Sequence, residues 1–285
     1  MSSLPKAVIV INNASTDETQ QVLDRWSKSK KQFQVNCIEL DSNTGGAGGF
    51  KAGIKEALQS EVSWIWVMDD DVEIFPDALI AAEKWTDKFD AFMGQRLTPS
   101  GEIVNWSHLL SNRTGLAPLF PRSPFGETDF VESNSGCFEG MFISSKAVET
   151  VGLPDSRFFI TWDDAVYGWL ISRKYKVGYV KDVFLQRTVE MKSVGTKAIT
   201  VYARNDLGRY YFIRNRALQA KYFQLQGNLH NVWFALGTFR VVVIELLRAL
   251  LVERKISGLK VISKAVKDLN SLRKDKTFLV PEPTN

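Results

Sequence analysis

Residues 7–85 alternate strand-like and helix-like stretches, and that alternation leaves few folds open. "AVIVI" (7–11) is a short β-branched run. "NNASTDETQQVLDRW" has helical composition, with Ser15 or Thr16 placed to cap it and Glu18 in its first turn. "FQVNCIEL" (33–40) reads as a second strand, "DSNTGGAGGFKAGIKEALQS" as a glycine-rich loop feeding a helix, and "VSWIWVM" (62–68) as a third strand. Pro76 then stands near the first turn of the helix "DALIAAEKW". Strands separated by helices predict an α/β fold with a mainly parallel sheet, whose ligands gather beyond the carboxyl ends of the strands. Three features fall at that edge: "NNAS", "NTGGAGG" and the consecutive carboxylates Asp69, Asp70 and Asp71.

The rest of the chain is less regular. Residues 95–135 are rich in loop signals, with Pro99, Pro118, Pro121 and Pro124, and suit either a binding loop or a plain insertion. Pattern resumes in "GCFEGMFISSKAVETVGLPD" and "FFITWDDAVYGWLISRKYKVGYV", and residues 203–276 are helical in character and rich in Arg and Lys. With 285 residues, 45% of them hydrophobic, the chain has ample material for a core. A net charge of +4 without an arginine-rich block argues against nucleic acid. Cys37 and Cys137 lie far apart without CxxC spacing, which excludes a zinc-finger pattern and suits a reducing compartment. The opening "MSSLPKAVIVINN" lacks a signal-peptide pattern, and "NRT" at 112–114 is then a chance sequon. Arg240, Glu245 and Arg248 interrupt the apolar stretch 232–251, so it suits a helix in a membrane surface better than one crossing it.

Carboxylates crowded at a strand end repel one another unless something neutralises them. Hard oxygen ligands suit Mg²⁺ or Mn²⁺ held together with substrate phosphates; the plainer alternative is a solvated turn whose acids cap the next helix. Gly45, Gly46, Gly48 and Gly49 would let backbone N–H groups approach a ligand or would simply form a tight turn, and they match neither a dinucleotide nor a P-loop fingerprint. Asp163 and Asp164, flanked by bulky apolar residues, can supply a base of raised pKa, cap the following helix, or both. His108 and His230 have no partners at ligand spacing and read as surface or packing residues. Arg214 and Arg216 suit a phosphate contact or a solvated helix face. In "GLKVISKAVKDLNSLRKDK", Leu259, Ile262, Val266, Leu269 and Leu272 recur at helical spacing among lysines, which suits an anionic membrane surface or a helix packed on its own domain.

Taken in order, "NNASTD", "NTGGAGGFKAGI", "MDDD", "GLPDSRFFITWDDAVYG" and "YYFIRNR" resemble the GT-A glycosyltransferases of family 2, and in particular bacterial galactofuranosyltransferases and rhamnosyltransferases of cell-surface polysaccharides. The resemblance runs over residues 7–220. It implies a Rossmann-like GT-A domain over 1–202, begun without the usual first strand–helix unit, and a basic helical region over 203–285 that meets membrane or acceptor. It further implies that Asp69 and Asp71 hold Mn²⁺ or Mg²⁺ on a sugar-nucleotide diphosphate, with Asp70 nearby. Asp164 would take the proton of the acceptor hydroxyl in a single inverting displacement, Asp163 would orient hydroxyls, and Trp162 would form an apolar floor for a sugar. Asn12, Asn43 and the Gly45–Gly49 stretch would face the nucleotide and donor sugar. Asn12 stands where many relatives carry Asp, and Gln186 where many place a metal-binding His. The implied donor is UDP-galactofuranose, with dTDP-rhamnose as its rival. The acceptor would be a polysaccharide or polyprenyl-linked glycan at the inner face of the cytoplasmic membrane, reached by a cytoplasmic, peripherally bound enzyme of unspecified oligomeric state. A non-catalytic subunit built on the same fold is the alternative from another class.

Overall fold

The computed structural model describes residues 4–104, 106–118, 123–190, 193–196, 199–202, 204–254 and 256–280. The chain runs β1 (Ala7–Asn12), α1 (Thr19–Lys28), β2 (Gln34–Glu39), α2 (Gly45–Gln59), β3 (Trp64–Val67), β4 (Val72–Ile74), α3 (Ala78–Thr86), β5 (Ala91–Leu97), β6 (Phe130–Ser133), β7 (Met141–Ser144) and α4 (Ser145–Val151). It continues with α5 (Asp163–Ser172), β8 (Val177–Arg187), the hairpin β9 (Ser193–Thr196) and β10 (Ile199–Tyr202), and the helices α6 (Asp206–Arg214), α7 (Arg216–Leu225), α8 (Asn231–Leu247) and α9 (Ser257–Lys274). A π-helical turn, Arg248–Val252, extends α8.

The α/β alternation holds, but the sheet is mixed rather than mainly parallel. β1 and β2 pair in parallel as a two-stranded unit. The larger sheet has the order β3-β7-β5-β8-β4, with β6 on the same edge of β8 as β4, and within it only β5 and β8 are parallel. Parallel neighbours need a crossover of a dozen residues or more. The chain between β5 and β8 provides one.

Side chains alternate across the large sheet with the period of two that a strand imposes. Ile65 and Val67 of β3, with Met141 and Ile143 of β7, bury on one face against Ile54 of α2 and Ile171 of α5. Trp64, Trp66 and Phe142 point to the other face, where Phe142 stacks on Trp66 at 4.5 Å and on Phe92 at 4.8 Å. The aromatic character of "WIWVM" thus belongs to packing. β3 begins two residues later than its pattern predicts; just before it, the Ser63 carbonyl accepts from the Ser145 N–H at the start of α4.

Several local expectations are corrected. α1 starts at Thr19, and neither Ser15 nor Thr16 caps it; the Asp17 carboxylate accepts from the Thr19 N–H and hydroxyl. The glycine-rich stretch is the first turn of α2 and not a loop. Arg216 is wholly buried, donating to the Thr114 and Gly115 carbonyls (2.6 Å each), and burial lowers its pKa to about 9; it touches no solvent or phosphate. Arg214 is spent on Arg157 O and Asn215 Oδ1. On α9, Ile262, Ala265 and Leu269 are buried against α6 and α8, so its apolar stripe is a packing surface. His108 is buried and stacks on Tyr179, as a packing residue should. Both cysteines are free. Among the described residues no helix is long and apolar enough to cross a membrane.

Candidate active site

Two carboxylate groups meet where β3 and α5 present their ends. Leaving β3, the chain passes through Asp69 and Asp70 to Asp71, whose carbonyl accepts from the Thr188 N–H (2.8 Å) and hydroxyl (2.9 Å). That fixes the turn against the end of β8. All three aspartates keep solvent access. The Gly140 N–H donates to Val67 O (2.9 Å), which draws the neighbouring Glu139 to the same strand end.

The second group arrives on a strained loop. Phe159, Thr161 and Trp162 have φ of 64°, 71° and 72°, a region that side chains other than glycine disfavour. Such a path persists only where surroundings over-determine it. Asn215, fully buried between α6 and α7, reaches Phe158 O, Ile160 O and Thr161 O at 2.8, 2.9 and 3.0 Å. From the other side the Ala47 N–H donates to Phe159 O (3.1 Å). The loop is thereby clamped between the start of α2 and the "YYFIRNR" segment, and it releases Asp163 and Asp164 as the first residues of α5, where the helix dipole favours anions. Asp164 Oδ1 also accepts from the Ala165 N–H (2.7 Å).

Electrostatics show that the two groups share one space. The Asp69 carboxyl rises to about 7, chiefly through desolvation and then through the charges of Glu139, Asp71, Asp164 and Asp70. Asp69 keeps solvent access although the protein packed around it desolvates its carboxyl. Asp163 is pushed up by burial and then by Asp164, with Asp69 adding to it; burial also raises Asp164, opposed by the Ala165 N–H and by Arg96. The nearby cations are committed to Glu139, a buried carboxylate that accepts from Arg96 Nη1 (2.5 Å) and, through both oxygens, from Arg187.

A raised acid pKa costs stability once the acid ionises. The folded chain holds the Asp69 proton more tightly than the unfolded chain, whose group titrates near 3.8, so stability falls as pH rises from about 4 through about 7 and is flat beyond. Asp69→Asn should therefore raise the melting temperature at pH 8 by about 2 °C, corresponding to about 1 kcal/mol once solvent screening is allowed for. At pH 4 the gain should vanish; calorimetric scans at both pH values check this.

The residues expected at the nucleotide divide. Asn43 lies exposed, its Oδ1 accepting from the Gly45 N–H (2.9 Å). Gly46 is exposed, and nothing within 4 Å would meet a side chain there, so the fold itself does not require glycine at that position. Gly49 is nearly as open. Gly45 and Gly48 are buried, and a Cβ would meet Phe159 O at 2.1 Å in one case and Thr44 Oγ1 at 2.1 Å in the other, so packing alone requires glycine at both. Asn12 is turned inward as well. It is 2% exposed and spent on the Ser15 N–H and Gln20 Oε1, while its neighbour Asn13 ties β1 to α2 through Thr44 and Gly45. Trp162 is no open floor either, being 7% exposed, stacked on Phe212 at 5.0 Å and bonded to its carbonyl.

Sequence reasoning missed Glu139, Arg96, Arg187, Asn13 and Asn215. Asn13 and Asn215 stand inside motifs already singled out; the charged three lie far apart in the chain and carry no local signal. Among the described residues, no three His, Cys, Asp or Glu side chains are gathered to hold a metal ion by themselves. The donor set fits an ion that brings most of its ligands with a diphosphate, for which one or two carboxylates suffice. Gln186 donates to Thr98 O and Pro99 O and stands outside that set. A separate depression of about 610 Å³, lined by Lys88, Arg173, Lys174 and Lys176 among others, contains none of these carboxylates.

The chain aligns with Galactofuranosyltransferase GlfT1 of Mycolicibacterium smegmatis at 25% identity, covering 84% of this chain and 81% of that one. It aligns with the protein of the same name from Mycobacterium tuberculosis at 25% identity, covering 84% and 80%. Among solved structures, residues 1–349 of S. aureus TarS superpose with a TM-score of 0.56 at 12% identity, over 97% of this chain and 75% of that one, which is a likeness of fold. The family model for glycosyl transferase family 2 matches residues 2–147, the half of the chain that carries β1 to β7 and the three aspartates. This chain belongs to glycosyl transferase family 2 and has the GT-A architecture.

Proposed function

We propose that this glycosyltransferase moves galactofuranose from UDP-galactofuranose to a polysaccharide or lipid-linked glycan, with inversion at the anomeric carbon. The observation that carries this reading is the meeting of two acid groups: a trio at the end of β3 whose side chains stay exposed, and a half-buried pair at the start of α5. The trio suits a divalent cation that brings a diphosphate with it, and the pair suits proton transfer. The choice of sugar is supported by likeness to the two galactofuranosyltransferases over four-fifths of their length.

In this reading Asp69 and Asp71 hold Mn²⁺ or Mg²⁺ against the donor diphosphate, with Asp70 beside them. When bound, the ion offsets charge on the departing nucleoside diphosphate. The exposed N-terminal turn of α2, with Asn43, Gly46 and Gly49, lets the donor approach backbone closely. Asp164, its pKa raised by burial, accepts the proton of the acceptor hydroxyl as that oxygen attacks from the face opposite UDP. Asp163, protonated more readily still beside Asp164, donates a hydrogen bond that orients a hydroxyl.

Calorimetry with UDP and Mn²⁺ tests the donor half. The wild type should bind UDP only with the ion, and Asp71→Ala should lose at least about tenfold in affinity, the scale of one missing charge-assisted contact. Equal binding by both proteins would remove the carboxylates from the donor site. Turnover with UDP-galactofuranose compared with dTDP-rhamnose then tests the sugar.

A further inference from the structure

The apolar stripe that faces outward is on α8, not α9. Trp233, Leu236, Phe239, Ile244, Leu247 and Leu251 recur at helical spacing along α8 and its π-helical extension, and each keeps 43–68% of its surface exposed. The opposite side of the same helix is anchored through Phe234, Gly237, Val241 and Glu245, so α8 lies along the protein with a face about 25 Å long turned outward.

Its charges are sorted as well. Both carboxylates between 231 and 256 turn inward and are neutralised: Glu245 by Arg204 (2.6 Å), Arg209 (3.2 Å) and Arg248 (3.1 Å), and Glu253 by Arg209 (2.6 Å). The charged side chains left exposed over the described part of that stretch are Arg240, within the stripe, and Arg254 beyond it. A patch this apolar on a monomer marks an interaction surface. A second copy of the chain fits it poorly, since an isologous contact sets the patch against itself and would desolvate Arg240 opposite a surface without acids. An anionic phospholipid surface supplies both an apolar layer for the stripe and phosphates for an arginine that snorkels.

We propose that α8 docks this enzyme in the plane of a membrane that carries anionic phospholipid, with Trp233, Phe239 and Leu251 among the inserted side chains. Docking does not depend on which sugar donor the enzyme uses. The full chain should sediment with vesicles of phosphatidylcholine and phosphatidylglycerol, and the combined variant F239D/L247D/L251D should lower its partition coefficient by about tenfold or more, because it removes three apolar insertions. Metal-dependent UDP binding should survive in that variant, which separates this result from failure of the donor reading. Arg240→Glu should weaken binding to the mixed vesicles at low salt only, and leave binding to pure phosphatidylcholine unchanged. Should the combined variant fold poorly, lipids with brominated acyl chains provide an independent measure: they should quench wild-type fluorescence, and Trp233→Phe should lose part of that quenching. A wild type that ignores mixed vesicles, variants that partition equally, or quenching indifferent to Trp233 overturns the proposal. So does light scattering that reveals a dimer broken by the combined variant without vesicle binding, which would assign the face to a second copy.

Discussion

Replacing Asp164 with asparagine is expected to reduce sugar transfer about 100-fold or more while donor binding stays within about twofold of the wild type, the scale for a missing general base. The expectation rests on position: Asp164 lies in the first turn of α5, accepts from the Ala165 N–H, and is near enough to Asp69 for its charge to raise that carboxyl's pKa. Asparagine keeps its shape and the backbone contact but cannot take a proton. The pH profile provides a second readout. Because burial lifts Asp164 above the ordinary carboxylate range, the wild-type kcat/KM should fall on the acid side earlier than an exposed aspartate would allow, as the base becomes protonated. Residual activity of Asp164→Asn should lack that limb. Full turnover in the variant would assign proton transfer elsewhere.

The largest stability effect is expected at Glu139. Its carboxylate is the shared partner of Arg96, itself buried, and of Arg187. Glu139→Ala leaves a buried guanidinium without a counter-charge, and breaking a buried pair from one side costs about 3–5 kcal/mol, or about 10 °C in melting temperature for a chain of this size. The same change removes the strongest neighbouring charge acting on Asp69, so the Asp69 carboxyl should titrate lower than in the wild type. Thermal denaturation and carboxyl titration by NMR check the two effects. An unchanged melting temperature would mean that Arg96 finds another acceptor or solvent.

Much of the candidate site could be read from local pattern, and its misreadings have definite causes. The acids 69–71 and 163–164 stand out as groups because charge at the end of an apolar strand, or between bulky apolar residues, is costly unless it is used; the choice of Asp69, Asp71 and Asp164 within them comes from the family resemblance. Which of two adjacent asparagines turns inward is a different kind of question: Asn12 and Asn13 have the same chemistry, and only the pairing of β1 with β2 and the approach of α2 bury the first and spend the second on Thr44 and Gly45. The family resemblance implies a sugar platform at Trp162, whereas Phe212, fifty residues on, covers it.

Local composition by itself committed this chain to alternating strands and helices, to acids at one edge of the sheet and to a helical, basic end, since these follow from residue periodicity and from the cost of burying charge. Contacts between distant segments decided the strand directions, the clamp of Asn215 on the loop before Asp163, and the joining of Arg96, Glu139 and Arg187. They also decided which helix shows its apolar side. The stripe of α9 is amphipathic on paper and is buried in the molecule, whereas α8 is apolar nearly all round, so the side left open is whichever one its neighbours do not cover.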